Sequence, residues 1–254
     1  MNDKLIAQRT LSLLDLTSLN DNDTEVDIVA LCNKAVSEHG SVAAVCVWPR
    51  FVKKAAGLLE GTNVNIAAVA NFPEGNTDID AAVKTTQEII HAGGNEVDVV
   101  FPYKAFLDDD KAIGAKLVAA CKAACSSKAK LKVILETGAL DDQALIREAS
   151  NIALDNGADF IKTSTGKVDI SATPEAARIM LSTLKEKGSI AGFKAAGGIK
   201  DIETAREYLK IADEIMGEGW VSSETFRFGA SGVLNNLLAV LNDDDISSEK
   251  VEGY

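Results

Sequence analysis

The sequence predicts an α/β fold: a single-domain (β/α)8 TIM barrel with extra N-terminal helices and a flexible C-terminal tail. Three observations predict it. Short runs of β-branched and small residues alternate with amphipathic helical segments about eight times, with no Pro/Gly/Ser-rich linker between them. The runs are nearly continuously apolar, as strands of a parallel sheet covered on both faces must be. The 254 residues match the size of one such barrel. The barrel with its N-terminal helices is assigned to residues 1–241 and the tail to 242–254.

In chain order, Asn2 can cap a helix over residues 3–14, with Leu5, Ile6, Leu13 and Leu14 apolar. Asp15 to Asn20 reads as a turn, and Thr24 opens a second helix to about residue 38. Strands are then expected at Val42–Val47, Val64–Ala70, Glu96–Phe101 and Leu131–Glu136. Four more follow at Phe160–Thr163, Ala191–Lys194, Glu214–Met216 and Phe226–Gly229. Between them, Thr173 caps a helix with Pro174 at its first position. Ala177, Met180, Leu181 and Leu184 give that helix one buried stripe, as Leu145, Ala149, Ile152 and Ala153 do for the preceding one.

Composition bounds the function. The chain is 46% hydrophobic and 25% charged, with a net charge of −12, which argues against general nucleic-acid binding. No apolar run is long enough to span a bilayer, and the first residues lack a signal-peptide pattern, so no membrane partner and a cytoplasmic location are expected. The four cysteines include no CxxC pair and read as reduced thiols, with Cys121 and Cys125 in the core. The two histidines, His39 and His91, read as surface or cap residues. With no HExxH or clustered ligands, neither a metal nor another cofactor is expected.

The chemistry concentrates on two lysines. Lys162 interrupts an apolar strand in Asp159-Phe160-Ile161-Lys162, and Lys194 does the same in Gly192-Phe193-Lys194-Ala195. A lysine on a buried strand is costly unless something uses it. Two ammonium groups about 5 Å apart on neighbouring strands repel by about 3 kcal/mol at an effective dielectric near 20. One of them can then be a free amine at neutral pH, as a Schiff-base nucleophile must be. Spacing alone does not choose which. Asp98, in Glu96-Val97-Asp98-Val99-Val100, is the natural proton handler beside them, or a counter-charge and nothing more. Lys132 and Glu136 read equally well as a buried ion pair.

Three strand ends carry small-residue turns: Ser164-Thr165-Gly166-Lys167, Gly197-Gly198-Ile199-Lys200 and Gly229-Ala230-Ser231-Gly232. Such turns offer backbone N–H groups, and two of them add a lysine, so an anion site is expected. No Walker A or GxGxxG pattern points to a nucleotide.

Asp-Phe-Ile-Lys-Thr-Ser-Thr-Gly at 159–166, Glu-Val-Asp-Val-Val at 96–100, Gly-Phe-Lys at 192–194 and Ala-Gly-Gly at 196–198 resemble the 2-deoxyribose-5-phosphate aldolase family. Asp15-Leu16-Thr17, Asn71-Phe72-Pro73, Glu136-Thr137-Gly138 and Phe228-Gly229-Ala230-Ser231 extend the likeness over nearly the whole chain. The resemblance implies a class I, metal-independent aldolase of deoxyribose phosphate catabolism. Such an enzyme reversibly cleaves 2-deoxy-D-ribose 5-phosphate to D-glyceraldehyde 3-phosphate and acetaldehyde. Lys162 matches the Schiff-base lysine, Lys194 the lysine that lowers its pKa, and Asp98 the proton-relay carboxylate. Tyr254 matches a C-terminal tyrosine that assists proton transfer. Substrate or phosphate contacts are expected at Thr17, Cys46, Thr165, Gly166, Lys167, Gly197, Gly198, Lys200, Gly229 and Ser231. The partners implied are a sugar phosphate, aldehydes and a second copy of the chain, in a homodimer.

Three positions depart from the family pattern. Ala195 stands where proline is usual, expected to loosen a turn behind Lys194. Lys200 stands where arginine is frequent, and Gly232 where a second serine is frequent. The last two are expected to weaken phosphate affinity while leaving the chemistry intact. Two other readings compete: a Schiff-base barrel acting on a different aldehyde, and a catalytically silent barrel that only binds a sugar phosphate.

Overall fold

A computed structural model describes residues 2–243. Eight parallel strands close into a barrel. They are β1 (Leu14–Thr17), β2 (Ala44–Val47), β3 (Asn65–Ala70), β4 (Glu96–Val100), β5 (Lys130–Ile134), β6 (Phe160–Lys162), β7 (Gly192–Ala196) and β8 (Phe226–Ala230). Each pairs with its sequence neighbours, and β1 pairs with β8 to shut the ring. The (β/α)8 expectation is borne out.

Two elements differ from the sequence expectation. Leu14–Thr17 is the first barrel strand, not a helix end followed by a turn. Glu214–Met216 is no strand: it ends the helix Ile202–Met216. Since β1 follows the first helix directly, only that helix, α1 (Asp3–Leu11), precedes the barrel. The helix opened by Thr24, Glu25–Lys34, is the first of the outer ring. It stops before a small antiparallel hairpin, Val36–Ser37 with Gly40–Ser41. His39 sits in that hairpin's turn, Nε2 2.6 Å from Asn242 Oδ1, and His91 ends the helix Ile79–His91.

The outer helices are held by side-chain caps, of which Thr173 was expected from sequence. Asp78, Asp142, Thr173 and Asp201 each accept a hydrogen bond from a first-turn N–H. Their apolar stripes, such as Ala177, Met180, Leu181 and Leu184, pack on the outward faces of the strands. All four cysteines are buried free thiols. The last helix, Val233–Asn242, takes in the first residue of the expected tail. Residues 244–254, Tyr254 among them, lie outside the described residues. No helix among the described residues is long and apolar enough to cross a membrane.

The barrel interior is what sets this chain apart. An ordinary barrel fills its centre with branched aliphatics. Here small residues, Ala44, Ala67, Gly192 and Gly229, leave room for long charged side chains. A Cβ at Gly192 would lie 2.3 Å from the Phe160 ring, and one at Gly229 would lie 2.9 Å from Lys194 Cε. Those glycines are therefore shaped to their inward neighbours.

Candidate active site

Register lines the charged residues up. Asp98 on β4 lies beside Lys132 on β5, Lys162 on β6 beside Lys194 on β7, and Lys194 beside Arg227 on β8. Neighbouring residues in a parallel pair face the same way, so these side chains share the barrel axis. All are almost completely buried.

Asp98 is the hub. Its Oδ2 accepts from Lys162 Nζ at 2.8 Å and from Lys194 Nζ at 2.7 Å, and its Oδ1 accepts from Lys132 Nζ at 2.8 Å. Lys194 also donates to Asp15 Oδ2 at 2.6 Å. Lys132 reaches Glu96 at 2.6 Å and Asp15 at 3.3 Å. The two strand lysines thus share one carboxylate, and it is Asp98, the group the sequence placed beside them. Nor do Lys132 and Glu136 pair. Lys132 belongs to the ionic core, whereas Glu136, at φ +59°, accepts from Thr165 N at 3.2 Å and Thr165 Oγ1 at 2.5 Å.

The geometry distinguishes the lysines where spacing did not. Burial lowers the pKa of Lys162, its neighbour Lys194 lowers it further, and Asp98 only partly offsets them. Burial works against Lys194 too, but Asp15 and Asp98 outweigh it and hold the group above its ordinary value. Lys162 has one carboxylate, shared three ways; Lys194 has two. Against the cost of burial, Lys132, Lys162 and Lys194 keep Asp98 well below the usual carboxylate range. Asp98 is therefore held as a carboxylate that orients the three lysine nitrogens around it.

The other expected residues fall into groups. Cys46 on β2 is buried with Sγ 4.0 Å from Asp98 Oδ2, and burial pushes its thiol up. Thr17, at the end of β1, donates to Asp15 O at 2.8 Å. Thr165 also accepts from Lys167 N at 3.0 Å, while Lys167 Nζ reaches across the top of the barrel to Leu19 O at 2.8 Å. Gly166, Gly197 and Gly198 have φ near +78°, which suits glycine at these strand ends. A Cβ at Gly197 would strike Ser171 at 2.6 Å and approach the Gly166 Cα at 3.6 Å, so the turns after β6 and β7 meet. Gly229 packs against Lys194 rather than standing in a turn. Lys200 is exposed, Ser231 half-buried before the last helix, and Ala195 is a buried strand position, not part of a turn.

Asp15, Glu96 and Arg227 were not singled out as site residues by sequence. The signal for Arg227 was the same as for the lysines: a charge between aromatics, in Phe226-Arg227-Phe228. Asp15 looked like a turn residue because its strand is short and alternates Leu-Asp-Leu-Thr.

The model of the DeoC/LacD family aldolases matches residues 9–235. The chain belongs to this family. It is an aldolase, a carbon–carbon lyase acting on small molecules. Solved structures similar to the aldolase include a Coccidioides immitis protein provisionally named a deoxyribose-phosphate aldolase. It is 29% identical with TM-score 0.80, over 90% of this chain and 85% of that one. Another is the aldolase QR15, 28% identical with TM-score 0.78, over 92% and 96%. A third is the deoxyribose phosphate aldolase of Aeropyrum pernix, which has a tetrameric structure. It is 26% identical with TM-score 0.76, over 94% and 92%.

Proposed function

We propose that the aldolase reversibly cleaves 2-deoxy-D-ribose 5-phosphate to D-glyceraldehyde 3-phosphate and acetaldehyde through a Schiff base on Lys162. The observation that carries this reading is the unequal pairing of Lys162 and Lys194 around Asp98. It favours a free amine at Lys162 and a permanent ammonium beside it.

The Lys162 amine attacks C1 of the open-chain sugar and forms a carbinolamine, which loses water to give an iminium. As the C3 hydroxyl loses its proton, the C2–C3 electron pair moves toward the iminium. The C2–C3 bond breaks, because the two-carbon product keeps C1 and C2. C3 leaves as the aldehyde of the three-carbon phosphate, and an enamine remains on Lys162. Protonation of C2 and hydrolysis release acetaldehyde and restore the amine. Asp98, in contact with both lysines, is suited to pass protons between them and bound water. Tyr254, outside the described residues, is assigned to proton transfer at C2 by resemblance alone.

Lys167 and the turns at Gly166 and at Gly197 and Gly198 are assigned to the phosphate end, with Lys200 and Ser231 at its rim. Their positive-φ glycines turn the backbone at the catalytic end of the barrel. Thr17, Cys46, Thr165 and Gly229 line or shape the reacting end. The working unit is assigned to residues 1–241, in a cytoplasmic homodimer, without a metal or other cofactor.

The test compares turnover of 2-deoxyribose 5-phosphate with that of 2-deoxyribose, reading three-carbon product. A higher kcat/KM for the phosphorylated sugar is expected. Equal values, or no product from either sugar, would overturn the substrate assignment.

A further inference from the structure

Arg227 is a fully buried cation that touches neither Lys162 nor Asp98. Its Nη1 donates to Asp15 Oδ1 at 2.6 Å, and its Nη2 donates to Glu96 Oε1 at 2.8 Å. Its Nε donates to Ser223 O, and its guanidinium lies 5.6 Å from the centre of the Phe160 ring. The fork is thus fixed on every side. Asp15 spends one oxygen on Arg227 and turns the other to Lys194 and Lys132.

The ionic core holds three carboxylates: Asp15, Glu96 and Asp98. It holds four basic groups: Lys132, Lys162, Lys194 and Arg227. Arg227 is always charged, and Lys132 and Lys194 each bond more than one carboxylate. These three cations neutralise the three anions. A proton on Lys162 would make a fourth cation against three anions within this ion-paired core, which burial disfavours.

We propose that Arg227 is a positioning residue that makes Lys162 the surplus base of this core, and that Glu96 sets the same balance in the opposite direction. The proposal rests on the reading of Lys162 as the amine nucleophile. The charged or titratable groups facing Lys162 are Asp98 from β4, Lys194 from β7, Cys46 from β2, and Glu136 after β5. Behind them stand Lys132 on β5, Asp15 on β1, Glu96 on β4 and Arg227 on β8. Cys46 is held neutral by burial, so at neutral pH it does not alter the count. Glu136 stands outside the ion-paired core, bonded to Thr165. It is unchanged in the variants below, so it does not affect the comparison among them.

The two residues give opposite signs, which a merely structural role would not. Removing the charge of Arg227 leaves three anions facing two permanent cations, so Lys162 is needed as the third and its pKa rises. Removing the charge of Glu96 leaves the core more positive, so the pKa of Lys162 falls. Arg227→Met should move the acid limb of the kcat/KM profile up by about one pH unit, a tenfold change in free amine on that limb. Glu96→Gln should move it down by a similar amount. The double variant restores the charge balance and should return close to the parent.

The same three proteins are titrated without substrate by 15N-detected NMR of the Lys162 Nζ, in full-length enzyme. Shifts of opposite sign there and in the profiles are expected. If Arg227→Met does not fold, Glu96→Gln and the double variant carry the test. Unmoved or same-direction shifts overturn the proposal. Failure of Lys162 to trap acetaldehyde in the parent overturns instead the Schiff-base reading on which it stands.

Discussion

Lys162 and Lys194 are adjacent, buried and chemically identical, yet their neighbours shift their pKa values in opposite directions. Both bond Asp98 Oδ2, so their nitrogens lie no more than about 5.5 Å apart. At an effective dielectric near 20, that separation gives a repulsion of about 3 kcal/mol, or roughly two pH units of acidity. Asp15 decides which lysine yields, because it supports Lys194 alone of the two. Lys194→Gln should therefore raise the acid limb of kcat/KM by on the order of one to two pH units, since the free amine of Lys162 exists only above its pKa. A pH profile with an unmoved limb would contradict this. At this scale the sequence was informative about Lys162, Lys194 and Asp98. Their polarity inside apolar strands marks them wherever the strands pack. It was less informative about Asp15, because a single carboxylate between leucines reads the same on a surface turn as inside a barrel. The pairing of Lys132 with Asp98 rather than Glu136 was not legible either. It depends on which way two strand residues face, and Glu136 leaves the strand at positive φ.

Strands and helices show where periodicity suffices and where it does not. The long helices were legible because their apolar stripes repeat over three or more turns, with Thr173 and Pro174 marking the start of one. β1 was not, because four residues carry too little pattern. The supposed strand Glu214–Met216 was the C-terminal end of a helix, half-buried at Ile215 and Met216, where a short apolar run has no period of its own. β8 adds a tight constraint. Gly229 leaves space for Lys194, and an added Cβ would stand 2.9 Å from Lys194 Cε and 3.0 Å from Ala196 Cβ. Gly229→Ala should cost about 1–3 kcal/mol of stability by overpacking and lower kcat more than it raises KM, through displacement of Lys194. Denaturation and steady-state kinetics check both parts. On the outer ring, Asp142→Ala should cost about 1 kcal/mol, because Asp142 Oδ1 accepts from two first-turn N–H groups. Activity should not change.

The whole molecule is a barrel built around an ionic core rather than an aliphatic one. Removing one member of such a core usually costs about 3–5 kcal/mol, because a buried charge loses its partner. Asp15→Asn should do so, since Lys194 and Arg227 both lean on it. Lys162 is the exception. Burial holds its pKa down, so the folded state resists its proton. Lys162→Met should abolish cleavage while leaving the melting temperature equal to or above that of the parent. Acid stability follows with the opposite sign. Asp15 and Asp98 are held below the usual carboxylate range. Their contribution is complete above about pH 4, the ordinary carboxylate value, and is lost as pH falls through the folded-state values. A melting curve series from pH 7 downward should stay flat with respect to these groups until about pH 4.

The most direct test of the central claim is covalent. The full-length enzyme is incubated with acetaldehyde and borohydride, digested, and mapped by mass spectrometry. A reduced two-carbon adduct on Lys162, absent from Lys162→Met, is the expected result. An adduct on Lys194 instead, or on no lysine at all, would contradict it.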